Sequence, residues 1–210
     1  MEVLQMLSSE LQTAASIPLQ PCAVVGMLSD AAMAVSALIV AVLAILGFDA
    51  WKRRVRHQAA SKVLQLGKRF ANEIQRSRHP MGSSAESEGR ERQHAETPEE
   101  AAALDQRYAH MRRLEPSATT LRDMQQASWE AEVALKTDLE SCVKAFIAVH
   151  NKLSLAVEKR YLVSKGLQLT PDEHKEILTT LYGPMPQGDR ITELLERAQR
   201  ALERALKRYI

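Results

Sequence analysis

Basic residues are missing from the start of this chain: Lys52 is the first lysine or arginine. A secretory signal peptide opens on a basic region, and here only Glu2, Glu10 and Asp30 are charged before the apolar run begins, which argues against a cleaved leader. Pro21 ahead of Cys22 also disfavours lipoprotein acylation, which wants a small residue there. Cysteine is nearly absent: Cys22 and Cys142 are the only two, one on each side of the apolar run, and if that run spans a membrane they cannot bridge each other within one chain. Glycine and aromatic residues are scarce, with eight Gly, two Trp, four Tyr and three Phe, and no stretch alternates as a half-buried strand does. An all-α chain follows.

Catalytic signatures are missing as well. The six histidines never pair at one-turn spacing, and no HExxH, CxxC or glycine-rich phosphate loop occurs. Cys142 and His150 lie on one expected helix, about 12 Å apart along its axis, too far to share a proton directly. The expectation is a protein that is not an enzyme, with no cofactor, no metal and no catalytic residue.

What the chain does have is an uncharged run. From Ala31 to Phe48, AAMAVSALIVAVLAILGF holds no ionisable side chain, and Trp51, Lys52, Arg53, Arg54 and Arg56 follow. Eighteen helical residues rise about 27 Å, close to the roughly 30 Å of a bilayer core. Nine Leu, Ile, Val and Phe residues in the run give an insertion credit of about −4 kcal/mol. A single transmembrane helix is therefore expected within 23–50. Residues 50–80 carry nine bases against Glu73 alone, whereas residues 1–49 carry four acids and no base. By the positive-inside rule the N-terminus lies outside and the C-terminal part in the cytoplasm, which places the protein in the cell (inner) membrane as a single-pass chain.

Flanking segments refine this. Residues 1–22 read as an external amphipathic segment broken by Pro18 and Pro21. Within the span, Ala34, Ala37, Ala41 and Ala44 line one face with small side chains, a candidate surface for self-association in lipid. Residues 51–76 read as a basic juxtamembrane helix in which Trp51, Lys52, Arg53, Arg54, Arg56 and Lys62 are the candidates for contact with anionic lipid. Its apolar residues Val55, Ala59, Val63, Leu66, Phe70 and Ile74 form a seam suited to a partner helix. Residues 77–97, with Pro80, Gly82 and Gly89 and almost no apolar side chain, read as a flexible linker.

Beyond the linker, 98–210 reads as a cytoplasmic helical domain. Thr97-Pro98-Glu99-Glu100 and Thr170-Pro171-Asp172-Glu173 each place a capping hydroxyl, a proline at the first helical position and a glutamate able to bond back. The first helix is expected to end near Glu115-Pro116. A second is expected to run unbroken from about Ser117 to Ser164, with Leu135, Leu139, Cys142, Phe146, Val149 and Leu153 as its packing face. Asp189 is the expected cap of a last helix whose inward residues include Ile191, Leu195, Ala198, Leu202 and Leu206. The whole is a single transmembrane helix plus a tethered helical bundle with one long central helix, an oligomeric coiled coil being the alternative.

A membrane-anchored adaptor or scaffold that recruits a protein partner, or assembles with itself, fits this organisation. Two other readings compete. The basic helix can serve nucleic acid as the polyanion, although aromatic side chains for stacking are lacking. The Ala-lined span can serve a small pore-forming or membrane-perturbing protein. A helix-turn-helix reader fits poorly, since the turn at 183–188 holds two prolines and Glu193, Glu196 and Glu203 would face phosphate.

Overall fold

The computed structural model describes residues 21–79, 89–91, 96–183 and 189–210, with side chains described from residue 29 onward. The expected amphipathic segment at 1–22 lies almost wholly outside these residues. Among the described residues there are five α-helices: α1 (Pro21–Ser77), α2 (Pro98–Leu135), α3 (Glu140–Ser164), α4 (Pro171–Tyr182) and α5 (Arg190–Leu206), followed by a 3-10 turn at Lys207–Tyr209. No strand occurs among the described residues. Two compact units divide the chain, Met1–Lys52 and Arg53–Ile210, and each is described by itself.

Local chemistry accounts for most helix ends in the second unit. The Thr97 hydroxyl accepts from the Glu100 N–H at 3.2 Å while the Glu100 carboxylate accepts from the Thr97 N–H at 3.2 Å, closing a capping box ahead of α2. Thr170 and Glu173 repeat the arrangement ahead of α4, and each helix has proline in its first turn. Asp189 accepts from the Ile191 N–H at 3.1 Å and starts α5. Gly166, at a φ of +99°, provides the left-handed turn that ends α3 and that side chains with a Cβ resist.

Two expected boundaries are corrected. Helix α2 does not stop at Glu115-Pro116 but runs through to Leu135. A proline inside a helix costs about 3 kcal/mol, yet Leu114, Ser117, Thr120 and Leu121 on either side are all buried, and that packing outweighs it. Nor is there one long central helix from Ser117 to Ser164. The chain breaks at residues 136–139, where Lys136 takes a left-handed φ of 53° and caps α2 by donating its N–H to the Glu132 carbonyl. The Glu132 side chain accepts from the Leu139 N–H at 2.8 Å, and Asp138 accepts from the Glu140 N–H at 2.9 Å, so two of the amides freed by the break find carboxylate partners.

The break lets α2 and α3 fold back antiparallel. Ser117 meets His150, Arg107 meets Glu158 and Glu100 meets Lys165 in matching descending and ascending order. The part of α1 that belongs to this unit lies antiparallel to α5: Arg78 meets Asp189, and a Cβ placed on Gly67 would come within 2.9 Å of Leu202 Cδ2. Between them Phe70 and Phe146 stack edge to face at 5.5 Å. Leu135, Leu139, Cys142, Phe146, Val149 and Leu153 are all buried, with Val63, Ile74, Met124, Leu195 and Leu202 in the same core. Burial also raises the Cys142 thiol pKa, keeping it protonated and unreactive.

Gly67 sits mid-helix, where glycine costs about 1 kcal/mol relative to alanine, because the α1 backbone approaches Leu202 and Phe146 so closely. Gly67→Val should therefore overpack the core and destabilise the unit by about 1–3 kcal/mol, read as a lower thermal midpoint by circular dichroism at 222 nm. Thr120→Val should do the reverse and raise the midpoint, because the fully buried Thr120 hydroxyl has no hydrogen-bond partner in the protein.

Candidate functional site

The first unit presents a long apolar helix with no core around it. Every residue from Ser29 to Lys52 is exposed, and the apolar side chains do not turn toward any core. Leu38 is 67 % exposed and Leu46 59 %, with Met33, Val40, Leu43, Ile45 and Phe48 similarly bare. The helix is long and apolar enough to cross a membrane, and none of its most apolar window is buried. A buried core helix, which passes the same length test, would have shown the opposite. The one polar side chain inside the run, Ser36, bonds its hydroxyl to the Ala32 carbonyl at 2.8 Å and so presents no unsatisfied group.

At the end of the run Phe48 and Trp51 pack with ring centroids 5.7 Å apart, and the Lys52 ammonium lies 5.9 Å from the Phe48 centroid. Trp51, Lys52, Arg53 and Arg54 are exposed. Arg56 and Lys62, grouped with them on sequence, are instead engaged with α2: Arg56 Nε donates to the Ala134 carbonyl at 3.3 Å, and Lys62 pairs with Glu130 at 3.0 Å. Ala34, Ala37, Ala41 and Ala44 all lie on the exposed surface of α1.

Sequence reasoning missed the most constrained charges. Arg78 reads as one more base at the edge of a linker, yet it is buried at 4 % exposure. It pairs with buried Asp189 and donates to the carbonyls of Thr179 and Thr180, each at 2.8 Å. Arg90, within the expected linker, is held by Glu96 and by Asp105 at 2.5 Å. The segments 80–88 and 92–95 lie outside the described residues. Only the matching cap residue Asp189, predicted from its position before the last apolar stripe, pointed to the Arg78 site.

The second unit has open clefts. One of about 650 Å³ is lined by Leu104, Tyr108, Met111 and Tyr161 together with the paired bases Arg90, Arg107 and Lys165. Arg107 bonds Glu158 through two nitrogens and lies 5.0 Å from the Tyr161 ring centroid; Lys165 pairs with Glu100 at 2.5 Å. Each cation there already has its anion. Among the described residues no three His, Cys, Asp or Glu side chains converge as a metal site requires. No family model, curated protein or solved structure matches the chain.

Electrostatics give a pH dependence. Burial opposes ionisation of Asp189, but hydrogen bonds from Arg78 and Thr192, the Arg78 charge and the Ile191 amide together hold its carboxyl below the ordinary 3.8. Folding thus gains stability from this group above its unfolded pKa and loses it as pH falls through the lower folded value. Burial lowers the pKa of half-buried His150 from 6.5, so protonation there also favours unfolding, beginning below that pH. The thermal midpoint should fall in two stages on acidification, the first removed by His150→Gln. Asp189→Asn, which strands a buried guanidinium, should cost about 3–5 kcal/mol at neutral pH and flatten the stage below about pH 4 in melts followed by circular dichroism.

Proposed function

We propose that the protein is a single-pass membrane-anchored adaptor or scaffold. Its N-terminus faces outward, and its helical domain stands at the cytoplasmic face of the cell (inner) membrane. The observation that carries this reading is the wholly exposed uncharged face of α1 from Ala31 to Phe48, closed by Trp51, Lys52, Arg53 and Arg54. A surface of that size and apolarity is not left to water, whereas lipid accepts it. The basic end marks the cytoplasmic side.

Function then resides in helix surfaces of the Arg53–Ile210 unit, which recruits a protein partner or a second copy. The basic side chains of its cleft at Leu104, Tyr108 and Tyr161 are already neutralised in pairs, which supports recognition there by shape and apolar contact more than a reactive centre. Nucleic acid as the alternative partner is weakened because Arg56 and Lys62 are already engaged on α2.

The intact chain should sediment with membranes and resist alkaline carbonate extraction. A charged residue at the helix centre costs about 2.5–3.5 kcal/mol against an apolar credit of about 4 kcal/mol. Leu38→Arg combined with Leu43→Arg should therefore release the chain from the carbonate-resistant pellet. Recovery of the unaltered protein in the supernatant after high-speed centrifugation without detergent would sink the anchoring reading.

A further inference from the structure

The Arg53–Ile210 unit has one end where three separate segments deliver basic side chains. Arg53, Arg54 and Arg56 open the unit on α1, Lys136 projects from the α2–α3 break, and Lys207 and Arg208 follow α5. Hydrogen bonds place them together. Arg56 donates to the Ala134 carbonyl at 3.3 Å, Arg208 to the Thr137 hydroxyl at 2.7 Å, and the Tyr209 hydroxyl to the Leu135 carbonyl at 2.6 Å. Arg53, Arg54, Lys136 and Lys207 are exposed and form no ion pair among the described residues. Asp49 and Glu203 lie one helical turn before Arg53 and Lys207, and the three acids of the turn itself are engaged locally. Glu132 and Asp138 accept from backbone amides of the turn, and Glu140 pairs with Lys144 at 2.8 Å.

Beside this basic end stands the barest apolar side chain of the unit. Val133 is 83 % exposed, and Trp129, one helical turn earlier on the same face, is 64 % exposed. Basic residues framing an exposed tryptophan and an aliphatic side chain match an anionic headgroup layer, which takes the charges at its surface and the indole at its apolar boundary. Chain continuity supplies the location: Arg53 follows Phe48 by five residues, a separation that an extended chain spans in at most about 18 Å.

We infer that this end is a second membrane contact, in which Lys136, Lys207 and Arg208 join Arg53 and Arg54 on anionic phospholipid while Val133 and Trp129 enter the headgroup boundary. The inference rests on the anchoring reading and deepens it. It turns the helical unit from one held only by its connection into one docked on the leaflet in a defined orientation, and sensitive to the leaflet's charge.

The test uses the full chain carrying Cys22→Ser and Val133→Cys, labelled at position 133 with a polarity-sensitive fluorophore. Buried Cys142 stays unlabelled. Vesicles are phosphatidylcholine alone or with about one third phosphatidylserine. Docking predicts a blue-shifted emission and reduced acrylamide quenching only in the anionic vesicles, reversed by high salt. Lys136→Asn with Lys207→Gln removes two bases without touching a described hydrogen bond of either side chain, and Asn tolerates the left-handed backbone at 136. That pair should lower the docked-to-free ratio about thirtyfold, whereas Lys207→Arg should leave it unchanged; unchanged helical melting shows that the fold is kept. A label equally exposed in both vesicles, with the protein still resistant to carbonate, would overturn the docking surface and leave the anchor standing. A chain extracted by carbonate overturns the anchor and the docking together. A response to duplex DNA added to the phosphatidylcholine vesicles, with none to phosphatidylserine, would assign the surface to nucleic acid and also overturn the proposal.

Discussion

A single buried guanidinium fixes how the helices of the Arg53–Ile210 unit can be arranged. Arg78 sits just past the last turn of α1, takes up the carbonyls of Thr179 and Thr180 at the end of α4, and neutralises Asp189 at the start of α5. Three helix termini thus share one charge pair. The carbonyl end of α4 carries partial negative charge and Asp189 a full one, so a cation is needed there, and an apolar residue would leave the Thr179 and Thr180 carbonyls without this donor and Asp189 without its counter-charge. Burial makes the arrangement unforgiving, since a slip of one turn in α1 or α5 would strand an ion in an apolar interior. With that end pinned, Gly67 of α1 meets Leu202 of α5, and the ring of Phe70 on α1 meets that of Phe146 on α3.

The two units solve opposite problems with one helix type. Between Ala31 and Phe48 apolar side chains cover every side of α1, and no neighbouring element shields them. From Ala60 onward the apolar residues retreat to one stripe, Val63, Phe70 and Ile74, while Lys62, Lys68 and Arg69 remain outside. All-round apolarity suits a helix surrounded by apolar material, and one-sided apolarity a helix packed on a core, so the pattern changes character along α1. The change occurs near the division at Lys52–Arg53.

Much of the helical organisation was legible because it is encoded within a few residues. Thr97 with Glu100, Thr170 with Glu173, and Asp189 before Ile191 are local hydrogen-bonding grammar, and each acts where its spacing indicates. The uncharged run was equally plain, since it needs no partner to be recognised. The break at 136–139 was hidden because its left-handed residue is a lysine rather than a glycine, and its amides are satisfied by Glu132, seven residues from Leu139. Pro116 misled in the other direction, its local penalty being overridden by tertiary burial of Leu114 and Leu121. Arg78 was visible only as charge. Whether a base is solvated or buried depends on a residue 111 positions away, and no spacing rule carries that information.

The antiparallel run of α5 along α1 brings Tyr209 beside Leu135 and Thr137, close to where Arg56 joins α2. Anything appended after Ile210, such as an epitope or a fluorescent reporter, therefore emerges at the pole where the unit begins and crowds that surface. The opposite pole is roomier: Gly166 has open space around it, beyond the Lys165–Glu100 pair. A tag inserted there leaves the entry pole as the native chain has it.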